Sequence, residues 1–135
     1  MTNDEIIAAI AASPDMQQMQ AAGASADIAR AINAQGNVRA VSTLGSYALI
    51  LASVPNGGAL LTTLKQASAT SDEWLWAWQA LLDGRFDFGL PQALAGWDAL
   101  SAVGVTPEQV AALKAIPMVP DMVTTEQVDA ALAGA

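Results

Sequence analysis

An all-α fold, a compact bundle of about eight or nine short helices in a single domain, is predicted by three features of the sequence. They are repeated helix-capping signals, glycines placed as helix stops, and apolar residues at helical spacing. The capping signal is clearest in Val105-Thr106-Pro107-Glu108-Gln109-Val110 and Val123-Thr124-Thr125-Glu126-Gln127-Val128. Each has Thr at the N-cap, Gln three positions later to complete a capping box, and valines at the two positions of a hydrophobic staple. Thr2-Asn3-Asp4-Glu5 and Thr70-Ser71-Asp72-Glu73 carry the same box with Glu as the returning side chain.

Along the chain, the first helix starts at Thr2 and carries the stripe Ile6, Ile7 and Ile10. Ser13-Pro14 opens a second helix, with proline at the first helical position, and Gly23 ends it. Ile28 and Ile32 mark a third, closed by Gly36. Asn37 to Val41 reads as a short extended piece with no partner strand in view. Leu44 to Val54, apolar on most faces, is expected to be a central buried helix. Leu60, Leu61 and Leu64 form the next stripe, then Trp74, Trp78, Leu81 and Leu82 share a face predicted to lie in the core. Gly84 stops that helix, Leu90-Pro91 starts another over Leu94, Trp97 and Leu100, and Gly104 precedes the two stapled helices. Residues 43–116 form the expected main core. Residues 1–40, with no aromatic side chain, are expected as a looser N-terminal helical appendage. The last helix, 121–135, would pack on the body or reach a neighbour.

Composition narrows the chemistry. The 135 residues include no Cys and no His, which removes disulfides, thiol nucleophiles, imidazole general bases and imidazole-ligated metals. Thirteen acidic residues against five basic ones give a net charge of −8. Arg30, Arg39, Lys65, Arg85 and Lys114 are dispersed, so no helix offers the basic face that a nucleic-acid phosphate backbone requires. The acidic start Thr2-Asn3-Asp4-Glu5 lacks the basic region of a secretory signal, and Leu44–Val54 is too short to span a bilayer. No membrane association and no cofactor are expected, and a bacterial-type cytoplasm, or something assembled there, is the expected location.

Few motifs suggest a reaction. Asp87-Phe88-Gly89 spells the metal-binding triplet of protein kinases, but without their catalytic loop or glycine-rich loop it reads as a turn with Phe86 or Phe88 packed inward. Asp83 and Asp87 are four apart and, as paired carboxylates, would suit a divalent metal or acid–base work. Gly84 falls between them, which favours a solvated helix terminus. Pro55-Asn56-Gly57-Gly58 opens a helix, as anion-binding loops do, yet lacks a basic residue at P-loop spacing and reads as a tight helix connection.

The tryptophans say more. All four lie between Trp74 and Trp97, and Trp76 points away from the face of Trp74 and Trp78. It is either covered by the Arg85–Leu90 segment or left as an anchor for a partner. Only 13% of residues are charged, against about a quarter in ordinary domains, so little charge must be desolvated when this surface is covered. Trp76, Arg85, Phe86 and Phe88 are therefore the candidate protein-interface residues.

The opening Glu5-Ile6-Ile7-Ala8-Ala9-Ile10-Ala11-Ala12-Ser13-Pro14-Asp15 resembles the start of small alanine-rich proteins of tailed bacteriophages and prophages. Asp87-Phe88-Gly89, Gly104-Val105-Thr106, Ala112-Leu113-Lys114-Ala115 and Val119-Pro120-Asp121 are similar to their second half. The resemblance implies a phage-encoded protein associated with virion or tail genes, and supplies no catalytic residues. The expected function is thus non-catalytic, through contacts with phage structural proteins, with self-association a further option. The alternatives are an inhibitor of a host defence protein, and a small carboxylate-dependent enzyme centred on Asp83 and Asp87.

Overall fold

The computed structural model describes residues 1–134; Ala135, the end of the expected C-terminal segment, lies outside the described residues. The fold is all-α: 66% of the chain is helical, in nine α-helices among the described residues, and the strands are two or three residues long. The longest helices have twelve residues, and none among the described residues is long and apolar enough to cross a membrane. The chain forms two compact units, one of Met1–Arg39 with the residues from Pro120 on, the other of Ala40–Val119.

The first unit holds α1 (Asn3–Ala11), α2 (Pro14–Ala21), α3 (Ser25–Ala34) and α9 (Thr125–Ala133). Thr2 and Glu5 make the predicted reciprocal cap of α1, and Ser13 caps α2 with Pro14 at its first position. Ile6, Ile10, Met16, Ile28 and Ile32 meet Val123, Val128 and Ala131 in a closed apolar core. Residues 1–39 and the C-terminal helix thus share one interior, a long-range pairing that local periodicity does not reveal. Asn33 on α3 clasps the approach to α9: its Nδ2 donates to the Val123 carbonyl at 3.0 Å and its Oδ1 accepts from the Val123 N–H at 2.8 Å.

The second unit holds α4 (Tyr47–Ser53), α5 (Gly57–Ser68), α6 (Asp72–Asp83), α7 (Pro91–Ala99) with a 3₁₀ turn (Leu100–Val103), and α8 (Pro107–Ala115). Its core gathers Ile50, Val54, Leu60, Leu64, Leu81, Phe88, Trp97, Leu100, Val105, Val110 and Leu113. The two staple motifs do the same job in different places: Val105 and Val110 seat α8 in this core, while Val123 and Val128 seat α9 in the other. Gly23, Gly36, Gly84 and Gly104 all adopt positive φ, as their positions after helical stretches predict.

Several expectations need correcting. Leu44–Val54 is not a central buried helix: Leu44–Gly45 is the short strand β2, α4 begins at Tyr47, and Leu51 is 52% exposed. Only Ile50 and Val54 of that run are buried, because so short a helix on the edge of the unit has just one face to bury. The α6 cap is Ser71, accepting from the Trp74 N–H at 3.5 Å, rather than a Thr70–Glu73 box. Leu82 is 53% exposed, since it lies about 100° around the helix from the buried Leu81. The extended piece after Asn37 is the strand β1 (Val38–Ala40), and it has a partner, β4 (Met118–Pro120). Three-residue strands are too short to show a period of two.

Replacing Asn33 with Ala deletes both bonds to the Val123 peptide and leaves its donor and acceptor half-buried. We expect a loss of about 1–3 kcal/mol in chemical denaturation of the whole chain, against a negligible change for Asn33-distant surface variants such as Gln20→Ala.

Candidate functional site

The segment Arg85–Gly89 is built from the residues that spell the kinase-like triplet, and its chemistry is structural. Gly84 takes the left-handed conformation at the end of α6, and the Arg85 N–H returns to the Ala80 carbonyl at 2.9 Å. The chain then enters β3 (Phe86–Asp87), which pairs antiparallel with β2 in the register Leu44 to Asp87 and Gly45 to Phe86. The Asp87 carboxylate accepts from the Thr43 N–H at 2.9 Å, the Ser42 hydroxyl at 2.8 Å and the Gly89 N–H at 2.9 Å. These bonds, the Thr43 amide foremost, then the Ser42 hydroxyl and the Gly89 amide, hold its pKa below the usual carboxylate range. Phe88 follows, fully buried, and its N–H donates to the Thr43 carbonyl at 3.0 Å. Gly89 passes so close to the Val41 peptide that a Cβ there would collide with its carbonyl.

Four rings cluster behind this turn. Trp97 is the hub, with centroids 5.5 Å from Phe86, 6.1 Å from Trp74 and 6.3 Å from Phe88, while Phe86 meets Phe88 edge-on at 4.9 Å. The Trp97 indole N–H is buried and bonds to no protein group among the described residues. Above the rings lies a groove of about 400 Å³ between α6 and α7. Trp74, Phe86 and Trp97 line it with Ala77 and Ala80 from α6 and Ala93 and Gly96 from α7. Small side chains on both helices leave the space; Trp76, Glu73, Arg85, Leu90 and Gln92 also line it.

Of the candidate interface residues, Trp76, Arg85 and Phe86 are brought together on this groove. Trp76 is 70% exposed, so the Arg85–Leu90 segment does not cover it. The reason is angular: Trp74, Trp78 and Leu81 set the inward face of α6, and Trp76 lies on the opposite side. The Arg85 side chain is 77% exposed and pairs with Asp83 at 3.1 Å. Phe86 is half-buried in the aromatic cluster. Phe88 is withdrawn from the candidate surface, because complete burial leaves it nothing to offer a partner. The groove's α7 wall went unread in the sequence, although a glycine in mid-helix, Gly96, is the signal that could have located it.

The other candidate sites serve the fold. Asp83 and Asp87 engage different partners, Arg85 for one and the Ser42–Thr43 segment with Gly89 for the other. Among the described residues no group of three or more acidic side chains is placed to hold a metal ion. In the Pro55–Gly58 loop, Asn56 is left-handed and Gly57 approaches α4 closely enough that a Cβ would sit 2.8 Å from the Ile50 carbonyl oxygen. The buried Gln109 donates to the Pro55 and Asn56 carbonyls at 3.1 and 3.3 Å, so this loop is a locked helix connection. No family model matches the chain, and no curated protein and no solved structure matches it either.

Two glycines give opposite expectations. Gly89→Ala forces the Val41 peptide to move and should cost about 1–3 kcal/mol. Gly96→Ala places its Cβ 3.7 Å from Trp74 Cη2, an ordinary contact, and should stabilise by about 0.5–1 kcal/mol through helix propensity. Thermal melts of the two variants check both signs.

Acid titration tests the role of Asp87. Its carboxyl has a lower pKa folded than unfolded, so it stabilises the fold above the unfolded value, and that contribution disappears as pH falls through the folded value. Wild-type stability should therefore decline below the ordinary Asp range more steeply than that of Asp87→Asn, measured by urea denaturation across that range.

Proposed function

We propose that this chain is a non-catalytic protein that acts through protein–protein contacts, as a small virion or tail-associated component of a bacteriophage. One observation carries the binding role: Trp76 stands 70% exposed beside an aromatic-floored groove of about 400 Å³. Burying an indole in water-free contact is among the largest single contributions an interface residue makes, and such residues concentrate at the centres of interfaces. The low charge density supports the same role, since few charges must be stripped of water. The phage setting rests on the resemblance of residues 5–15 and of the second half to small phage proteins. A carboxylate-dependent reaction is disfavoured because Asp87 already accepts three hydrogen bonds from its own chain.

The test is affinity capture from phage-producing cells, read by mass spectrometry, with Trp76→Ala beside the wild type and purified particles assayed for the chain itself. The expected result is recovery of tail or head proteins by the wild type, loss of them by the variant, and a fixed stoichiometry in particles. One host protein recovered without virion proteins would replace the structural role with inhibition of that host factor. Equal recovery by the variant would overturn Trp76 as the point of contact.

A further inference from the structure

On the binding role proposed above, which this inference rests on, we infer that the α6–α7 groove receives a basic amphipathic α-helix from a different protein. The shape comes first. The groove runs between two helices, is floored by Trp74, Phe86 and Trp97, and is kept open by small side chains on both walls. That is the form of site in which a helix lays an apolar stripe at i, i+3 or i+4, and i+7. Trp76, exposed on α6 at the rim of the groove, adds apolar surface for such a stripe.

Charge selects the occupant. The exposed side of α6 carries Asp72, Glu73 and Asp83. The one base at the groove, Arg85, is paired with Asp83, so the local field is acidic. A second copy of this chain meeting face to face would set these acids against the same acids, in a protein whose net charge is −8. A helix with lysines or arginines flanking its apolar stripe meets complementary charge instead. Asp72 and Glu73 at the start of α6 then fix its direction, while Trp76 and the ring floor supply the buried contact.

The probe is a synthetic, tryptophan-free helical peptide with leucines at i, i+3, i+4 and i+7 and lysines elsewhere. One control has the same composition in scrambled order, and a second has glutamate for every lysine. Binding to the whole chain is followed by tryptophan fluorescence and by the Trp76 indole N–H resonance. The ordered basic peptide should bind and shift that resonance. Affinity should fall about tenfold or more in Trp76→Ala, and roughly threefold to tenfold when Asp72→Asn, Glu73→Gln and Asp83→Asn are combined. All four positions are solvent-exposed, so the variants keep the fold, which circular dichroism verifies.

Equal binding of the scrambled or the glutamate peptide, no binding of the ordered basic one, or binding indifferent to Trp76→Ala would overturn the inference. So would a dimer of the chain in sedimentation that Trp76→Ala disperses, which would make a second copy the occupant. If the peptide fails while captured proteins still depend on Trp76, the binding role stands and the helical occupant falls. If capture does not depend on Trp76, the binding role at this groove falls first.

Discussion

The second unit depends on one carboxylate. Asp87 accepts hydrogen bonds from Ser42, Thr43 and Gly89, and so joins the turn after α6 to the segment before α4. A neutral side chain of the same shape could not hold two amides and a hydroxyl as strongly, because bonds to an ionised acceptor are about twice as strong as neutral ones. With the turn fixed, Phe88 has one direction to go and fills the core completely. Gly89 then slides past the Val41 peptide, where any side chain would collide, and the chain enters α7 with Trp97 facing Phe86 and Phe88. Three consecutive residues thus supply an ionic knot, an apolar plug and a steric clearance. The kinase-like spelling is a coincidence of composition; the physical requirements it meets here are those of packing.

The groove is a consequence of that packing. The four rings of the cluster pack against one another through Trp97, and Trp74, Phe86 and Trp97 floor the groove, with Asp87 also lining it. Alanine and glycine on the facing walls of α6 and α7 prevent the helices from filling the space above it. The Trp97 indole N–H lies buried beneath this space with no acceptor among the described residues. Trp76, on the far face of α6 from Leu81, adds a large apolar surface in contact with water.

Helix existence was legible because its signals are local. Thr2, Ser13, Thr106 and Thr124 cap helices as their spacing indicates, and the four positive-φ glycines stand where stops were expected. The errors share a cause. Thr70 and Ser71 are both competent caps, and the choice of Ser71 depends on how α5 ends. Leu44–Val54 is apolar enough for a core helix, yet its burial is set by where the unit's edge falls. The strands β1, β2, β3 and β4 are pairings between distant segments, each too short to leave a periodic trace. At the candidate site, Trp76, Arg85 and Phe86 were readable from aromatic placement, whereas the walls of Ala77, Ala80, Ala93 and Gly96 look in sequence like ordinary helix.

By itself the sequence determined an all-α chain, the starts and stops of most helices, the exclusion of thiol and imidazole chemistry, and the outward direction of Trp76 relative to Trp74 and Trp78. Each of these follows from a residue's own chemistry or from the 3.6-residue turn, and needs no knowledge of distant partners. Only the tertiary structure decided that the last helix completes the core of the first three, that Phe88 is buried while Phe86 reaches the groove, and that Asp87 is a structural carboxylate. It also decided that a groove exists. Those outcomes depend on which surfaces meet, and side chains far apart in the chain settle that question jointly through shape and hydrogen bonding.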